Sequence, residues 1–274
     1  MVTLDHVLQR PTANIAYRDS GLGSPTVVFI HGAGLDHAMF DDQADALAAA
    51  GARVVQWDLR AHGQSTLAAG TRFTAEDALD DLVALLDETQ ASDPVLVGHS
   101  LGGNIAQAFV RTHPNQTSSV VIVDSAWNTG PLSATSRFLL GLAAPSLALI
   151  PARNLPGLMA KASAVTPAAI ERATEIFGRM PKKTFLDVWR ATSSFIAPDP
   201  AYRSPIPIGL MRGSDDQTGN ISQAMGTWAA AEGVAEHVVA DAGHIVTWDA
   251  PAQSAATLLE ILGQWHPQLV SGEG

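Results

Sequence analysis

No cysteine occurs among the 274 residues, which removes thiol nucleophiles, disulfides and thiolate metal sites from the chemistry open to this chain. Basic residues are scarce as well. Sixteen Lys and Arg, scattered rather than clustered, stand against 27 Asp and Glu, and a formal charge of −11 opposes a phosphate backbone, so no nucleic-acid partner is expected. No stretch reaches the roughly 20 apolar residues that a membrane span requires. The opening Met1-Val2-Thr3-Leu4-Asp5-His6 carries neither a basic leader nor an apolar run, so no membrane or secretory routing is expected and the protein is assigned to the cytoplasm. Histidines at H-x-x-x-H or H-x-H spacing beside a carboxylate are missing too, and the glycine pair near residue 32 lacks a Lys-Ser/Thr sequel. Neither a metal nor a cofactor is expected.

What the chain does have is apolar residue: 46% hydrophobic content supports a large core without staples. Short β-rich runs alternate with helical patterns, which predicts a mostly parallel central sheet flanked by helices on both faces. The inner strands are expected at 26–30, 53–57, 94–97, 119–123, 206–211 and 236–240, after an antiparallel edge hairpin at 4–10 and 14–18. Thr74 with Asp77 three residues on predicts a helix start, and Leu79, Leu82, Val83 and Leu86 then repeat along one buried face. Past Asp124 the strand rhythm stops until about Pro205, and the chain turns helical and apolar. Thr166-Pro167 reads as a helix start within this stretch. An inserted helical cap over 126–203 is expected between two parts of one core, 1–125 and 204–274.

The strongest motif is Gly98-His99-Ser100-Leu101-Gly102, directly after the apolar run Pro94-Val95-Leu96-Val97. A strand that turns sharply into a helix holds its central residue in a strained conformation and leaves the side chain exposed, while glycines two positions either side let the neighbouring backbone pass. The following helix aims its positive end at the place where negative charge develops in acyl transfer. Ser100 is therefore read as a nucleophile. It needs a base, and Ala242-Gly243-His244, in the loop between the last strand and the final helix, opens at the same edge of the sheet. His31 and His99 sit inside tight motifs and are read as turn braces, and His6, His37, His113, His237 and His266 as surface or packing residues. For the acid, Asp215 and Asp216 follow the strand after the cap, and Asp124, whose bland role is to cap the exit into the insertion, is a third candidate. Phe29-Ile30-His31-Gly32-Ala33-Gly34 places a glycine-rich turn where a backbone N–H can face an oxyanion, and Ala33 and Leu101 are assigned as the two donors.

Together, His31-Gly32-Ala33-Gly34, Asp58-Leu59-Arg60-Ala61-His62-Gly63-Gln64-Ser65, Gly98 to Gly103, Gly213-Ser214-Asp215-Asp216 and Gly243-His244 resemble an α/β-hydrolase fold serine hydrolase with a helical cap, over nearly the whole chain. The order Ser, Asp, His agrees. The resemblance implies Asp216 as the acid, because that residue stands three beyond Gly213. Members of the family usually carry glycine where this chain has Ala61, which puts the shape of that turn in question. The implied activity is hydrolysis of a carboxylic ester or lactone through an acyl-serine intermediate. The alternatives are carbon–carbon bond hydrolysis or perhydrolysis on the same triad, or a non-catalytic binding protein on this scaffold; haloalkane dehalogenation is disfavoured because that family uses an aspartate where Ser100 stands. The partner is expected to be a small-molecule substrate with an apolar acyl or aryl group, lined by Trp127, Phe138, Leu142, Met159 and Trp189, although packing of the cap explains these residues nearly as well.

Overall fold

A computed structural model describes residues 3–132 and 145–271. Among the described residues, nine strands make one sheet: β1 (His6–Arg10), β2 (Ala13–Asp19), β3 (Thr26–Ile30), β4 (Arg53–Trp57), β5 (Thr66–Leu67), β6 (Val95–His99), β7 (Ser119–Val123), β8 (Ile208–Gly213) and β9 (Glu236–Val239). Their order is β1-β2-β4-β3-β6-β7-β8-β9, with β5 paired to β2. The expected hairpin is there, with Arg10 opposite Ala13, and every pair from β4 onward through β9 is parallel. Pro94, Ile206 and Pro207, expected within strands, lie just outside them. Proline has no N–H to give the ladder, so Pro94 and Pro207 contribute only carbonyls, to Ser118 N and Val120 N at 3.0 Å each.

Strand residues alternate between two cores because successive side chains point to opposite faces. Val28, Ile30, Val55, Leu96, Val120, Ile122 and Leu210 join the core beneath α2 (Ala75–Glu88), α3 (Leu101–Thr112) and α7 (Ile221–Glu232). Val27, Phe29, Val54, Val95, Val97, Val121 and Met211 join the other, beneath α1 (Asp41–Ala49), the short α8 (Val246–Asp249) and α9 (Pro251–Gly263). Thr74 accepts from Asp77 N at 3.1 Å, a cap worth about 1 kcal/mol.

Between β7 and β8 the described segment is helical: α4 (Leu155–Ser163), α5 (Pro167–Arg179, capped by Thr166) and α6 (Lys182–Ser194). Phe177 and Phe185 enter one core while Val188 and Ala191 enter the other. Among the described residues, no helix is long and apolar enough to cross a membrane.

Ala61 adopts φ 64°, the left-handed region that glycine enters freely. The turn thus keeps the form a glycine would give it, at about 1 kcal/mol of strain.

Candidate active site

From β3 the chain crosses to β4 on one side and later returns to β6 on the other, so a crevice opens at the carboxyl ends of β3 and β6 where the winding reverses. Into it run the loops that follow β3, β6, β7, β8 and β9.

Ser100 sits between β6 and α3 at φ 51° and ψ −114°, a backbone state that costs a non-glycine residue roughly 1–3 kcal/mol. The flanking glycines permit it: a Cβ on Gly98 would strike the Gly102 carbonyl, and one on Gly102 would strike that of Ile30. Ser100 N donates to Val123 O at 3.0 Å, and Ser125 Oγ donates to Ser100 O at 2.7 Å. Although Ser100 is the N-cap, its side chain makes no cap bond, so the hydroxyl is not spent on its own helix.

His244 is held from several directions. Its Nδ1–H donates to Asp216 Oδ2 at 3.0 Å, leaving Nε2 as the nitrogen able to accept a proton. Its carbonyl accepts from His99 Nε2 at 2.7 Å across 145 residues of chain, and the two rings lie 4.8 Å apart. The neighbours are anchored too, Gly243 N by Asp249 Oδ2 at 2.9 Å and Ile245 N by Ser163 O at 2.8 Å. Asp249 also accepts from Thr166 N and Thr166 Oγ1, both at 2.8 Å, so one carboxylate joins the His244 loop to the start of α5. Sequence reading missed Asp249 and Ser125; a lone acid ahead of Ala-Pro and a serine after a strand carry no pattern that would single them out.

Asp216 is buried and meets the imidazole, whereas Asp215 is exposed and gives its N–H to Ala242 O at 2.8 Å. Burial works against the Asp216 charge, but His244 and the Thr218 N–H, at 2.8 Å from Oδ1, pull its pKa down to about 2. Asp124 also reaches this cluster, its Oδ1 accepting from Gly213 N at 2.9 Å. The donor and acceptor atoms of Asp124, Asp216 and His244 lie within 4.8 Å of one another, a spacing at which the ring nitrogen is already spent on a carboxylate. Full burial and the neighbouring Asp216 charge raise the Asp124 pKa well above the carboxylate range. His99 is pushed the other way: burial and the nearby His244 lower it to about 3.

Gly32 rests against the His99 ring and Ser100 Cβ, which brings the glycine-rich turn beside Ser100. His31 fixes that turn by taking the Leu59 N–H on Nε2 at 2.9 Å and meeting Gly32 O through Nδ1 at 2.9 Å. Among the described residues, the N–H groups of Ala33 and Leu101 engage no backbone acceptor; the latter is an orphan of the first helical turn.

The expected substrate-lining residues separate. Trp127 stacks on Trp228 with ring centres 5.7 Å apart and borders a different cavity, of about 420 Å³, shared with Leu79, Arg111 and Tyr202 and touching none of Ser100, Ala33, Leu101 and His244. Stacking in the α2–α3 core holds it there, and it is not placed with Ser100. Trp189 meets the edge of Phe185, which together with Phe177 presses on Gly34 so closely that a Cβ there would come within 2.6–2.8 Å of both rings. Met159 is half-buried against the same core. Phe138 and Leu142 lie outside the described residues.

A sequence model described as alpha/beta hydrolase fold matches residues 25–251. Among curated proteins, a non-heme chloroperoxidase of Kitasatospora aureofaciens is 38% identical over 104 residues, covering 38% of this chain and 37% of that protein, well under half its length. Among solved structures, a thermophilic esterase from Thermogutta terrifontis superposes with a TM-score of 0.78 at 23% identity, over 94% of this chain and 98% of that one. The enol-lactonase of Burkholderia xenovorans LB400 gives 0.73 at 20% identity, over 91% and 96%. At these identities the structural likeness speaks for the fold.

Proposed function

The chain belongs to the α/β-hydrolase fold family, and from that premise we propose that it hydrolyses a carboxylic ester or lactone through an acyl-Ser100 intermediate. The observation that carries this reading is the 3.0 Å bond from His244 Nδ1 to Asp216, in loops that converge on a strained Ser100. With Nδ1 so engaged, Nε2 takes the Ser100 proton as Oγ attacks the substrate carbonyl carbon, and ionised Asp216 stabilises the imidazolium that results. Serine–histidine contacts tighten as substrate binds. The tetrahedral oxygen gains its negative charge beside the Ala33 and Leu101 N–H groups and the N-terminus of α3, which stabilise it most where the charge is greatest. His244 then hands its proton to the leaving alkoxide, the carbon–oxygen bond breaks, and the acyl group stays on Ser100. Water attacks that acyl group, giving its proton to Nε2, and the acid departs as Ser100 Oγ is reprotonated. Phe177, Phe185 and Trp189 near Gly34 support a small-molecule substrate with an apolar acyl or aryl group.

A second reading, perhydrolysis, is favoured by the match to a chloroperoxidase. It needs no further residue: hydrogen peroxide replaces water in the deacylation step and the product is a peracid. A p-nitrophenyl ester series with a fluorophosphonate probe tests the first reading, with turnover and a label on Ser100 expected. Neither turnover nor label would overturn it in favour of a binding protein. Peracid formed from ester and peroxide, faster than the carboxylic acid, would favour the second.

A further inference from the structure

Asp124 is a charged residue type for which the acyl-transfer steps have no use, yet it is fully buried beside the groups that do the work. It follows β7 at φ 42°, in the left-handed region where aspartate is enriched among non-glycine residues. Its Oδ1 accepts from Gly213 N at 2.9 Å, while Oδ2, sealed from solvent, has no donor among the described residues. A buried carboxylate oxygen with neither donor nor cation costs several kcal/mol, whereas the same oxygen carrying a proton becomes a donor. The acceptor at hand is Asp216, within 4.8 Å. The other charged or titratable groups that face Asp124 are His244, from the loop after β9, and Arg212 on β8; Arg212 directs its guanidinium to Glu236 at 2.8 Å and to Gly213 O at 3.0 Å. Two carboxyl groups this close do not both ionise in a dry site, and one proton shared between them falls to the more buried partner.

We propose that the acid of the triad is a carboxyl pair, in which un-ionised Asp124 turns its proton toward Asp216 and positions it, and in which Asp124 takes its place beside His244 when Asp216 is removed. The inference rests on the triad reading above. Burial raises the Asp124 pKa and the His244 charge lowers that of Asp216, which is the same division of the proton. The takeover is geometrically short. Atoms no more than 4.8 Å apart need a shift of about 2 Å to reach hydrogen-bond distance, and loss of the Asp216 side chain clears that space. Asp124 would then release its proton to solvent and accept from His244 Nδ1–H.

The experiment compares Asp216→Ala, Asp124→Asn and the double variant, measuring kcat/KM on a p-nitrophenyl ester across pH 6 to 10. Asp124→Asn keeps an acceptor for Gly213 and a donor for Asp216, so a loss of about tenfold or less is expected. Asp216→Ala should lose about 10² to 10³, with activity climbing as pH rises because Asp124 must ionise before it serves. The double variant should lose 10⁴ or more, the cost typical of a triad acid, without the climb. A double variant no worse than Asp216→Ala, a flat pH profile in Asp216→Ala, or an Asp124→Asn loss as large as that of Asp216→Ala would overturn the pair. Should Asp124→Asn not fold, infrared spectra decide: a protonated-carboxyl stretch in the native enzyme at about pH 8 that shifts in Asp216→Ala supports the pair, and its absence overturns it. Failure of the triad itself looks different, since Ser100→Ala would then stay active.

Discussion

Among the described residues two histidine–aspartate pairs share a side-chain hydrogen bond, and the tighter one is not beside Ser100. His37 Nδ1 lies 2.8 Å from Asp58 Oδ1, against 3.0 Å from His244 Nδ1 to Asp216 Oδ2. The side chains of His37 and Asp58 are 1% and 0% exposed, those of His244 and Asp216 8% and 0%. Asp58 also takes the N–H groups of His37 at 2.7 Å and Gln64 at 2.6 Å. Burial works against its charge, but the His37 hydrogen bond, the nearby His31 and the Gln64 N–H hold its pKa below the usual range. That pair is a closed knot joining the 3-10 turn at His37–Phe40 to the loop after β4. The Asp216 pair stands at the ends of β8 and β9, next to a strained serine and a turn with unused N–H donors. The shorter bond is thus the one remote from Ser100, so the length of such a bond does not mark the candidate site.

The comparison breaks most sharply at Ser100→Ala, where turnover of a p-nitrophenyl ester should fall by about 10⁵ to 10⁶ while the melting temperature stays within a degree or two. Activity above a few per cent would remove the Asp216 pair from the chemistry. Asparagine at each acid sharpens the contrast next. Asp216→Asn should cost about 10⁴ in kcat with little change in a denaturation midpoint, whereas Asp58→Asn should cost about 3 kcal/mol of stability and lower activity only as the folded fraction falls. Equal effects would mean the two pairs do the same job. Removing the Ala33 N–H, the proposed oxyanion donor, with Ala33→Pro should cost about 10² to 10³ in kcat relative to Ala33→Val, which adds bulk but keeps the N–H. Equal rates in two folded variants would move the donor elsewhere.

Smaller effects belong to the Asp58 loop. Burial and then His31 lower the His62 pKa to about 3, below its unfolded value of 6.5. The unfolded chain thus binds this proton first, so the contribution of His62 is complete above pH 6.5 and is lost as pH falls toward 3. His62→Gln should flatten the decline of melting temperature over that window; an unchanged slope would show that this ring does not titrate on unfolding. Smallest of all, Ala61→Gly should relieve the left-handed strain and raise the melting temperature by a few degrees, and a decrease would mean the turn is not strained.

Much of this was legible beforehand because the signals are local. Strand period, the Thr74 and Thr166 caps and the glycines around Ser100 act over a few residues of chain, and the elements they announce are present. The two-residue β5 and the 3-10 turn at His37–Phe40 were not visible, being too short to carry a period. Residue types alone left Asp215 and Asp216 open and the family resemblance pointed to Asp216 by its distance from Gly213; the packed loop shows that Asp216 is the one buried against His244. Trp127 misled for the same reason: an aromatic after a strand end suits a pocket or a stack equally, and Trp228, a hundred residues on, supplied the stack.

By itself, then, the sequence determined where the backbone is strained and which residue types stand at the strand ends, because steric limits on φ and ψ act between near neighbours. Tertiary structure decided everything that depends on what is far along the chain. Placing β3 between β4 and β6 laid Gly32 against Ser100, joined His99 to the His244 carbonyl, and set Asp124 beside Asp216. Burial and the Asp216 charge raise the Asp124 pKa, while His244 and the Thr218 N–H lower that of Asp216 against its own burial, and none of these surroundings exists until the chain has packed.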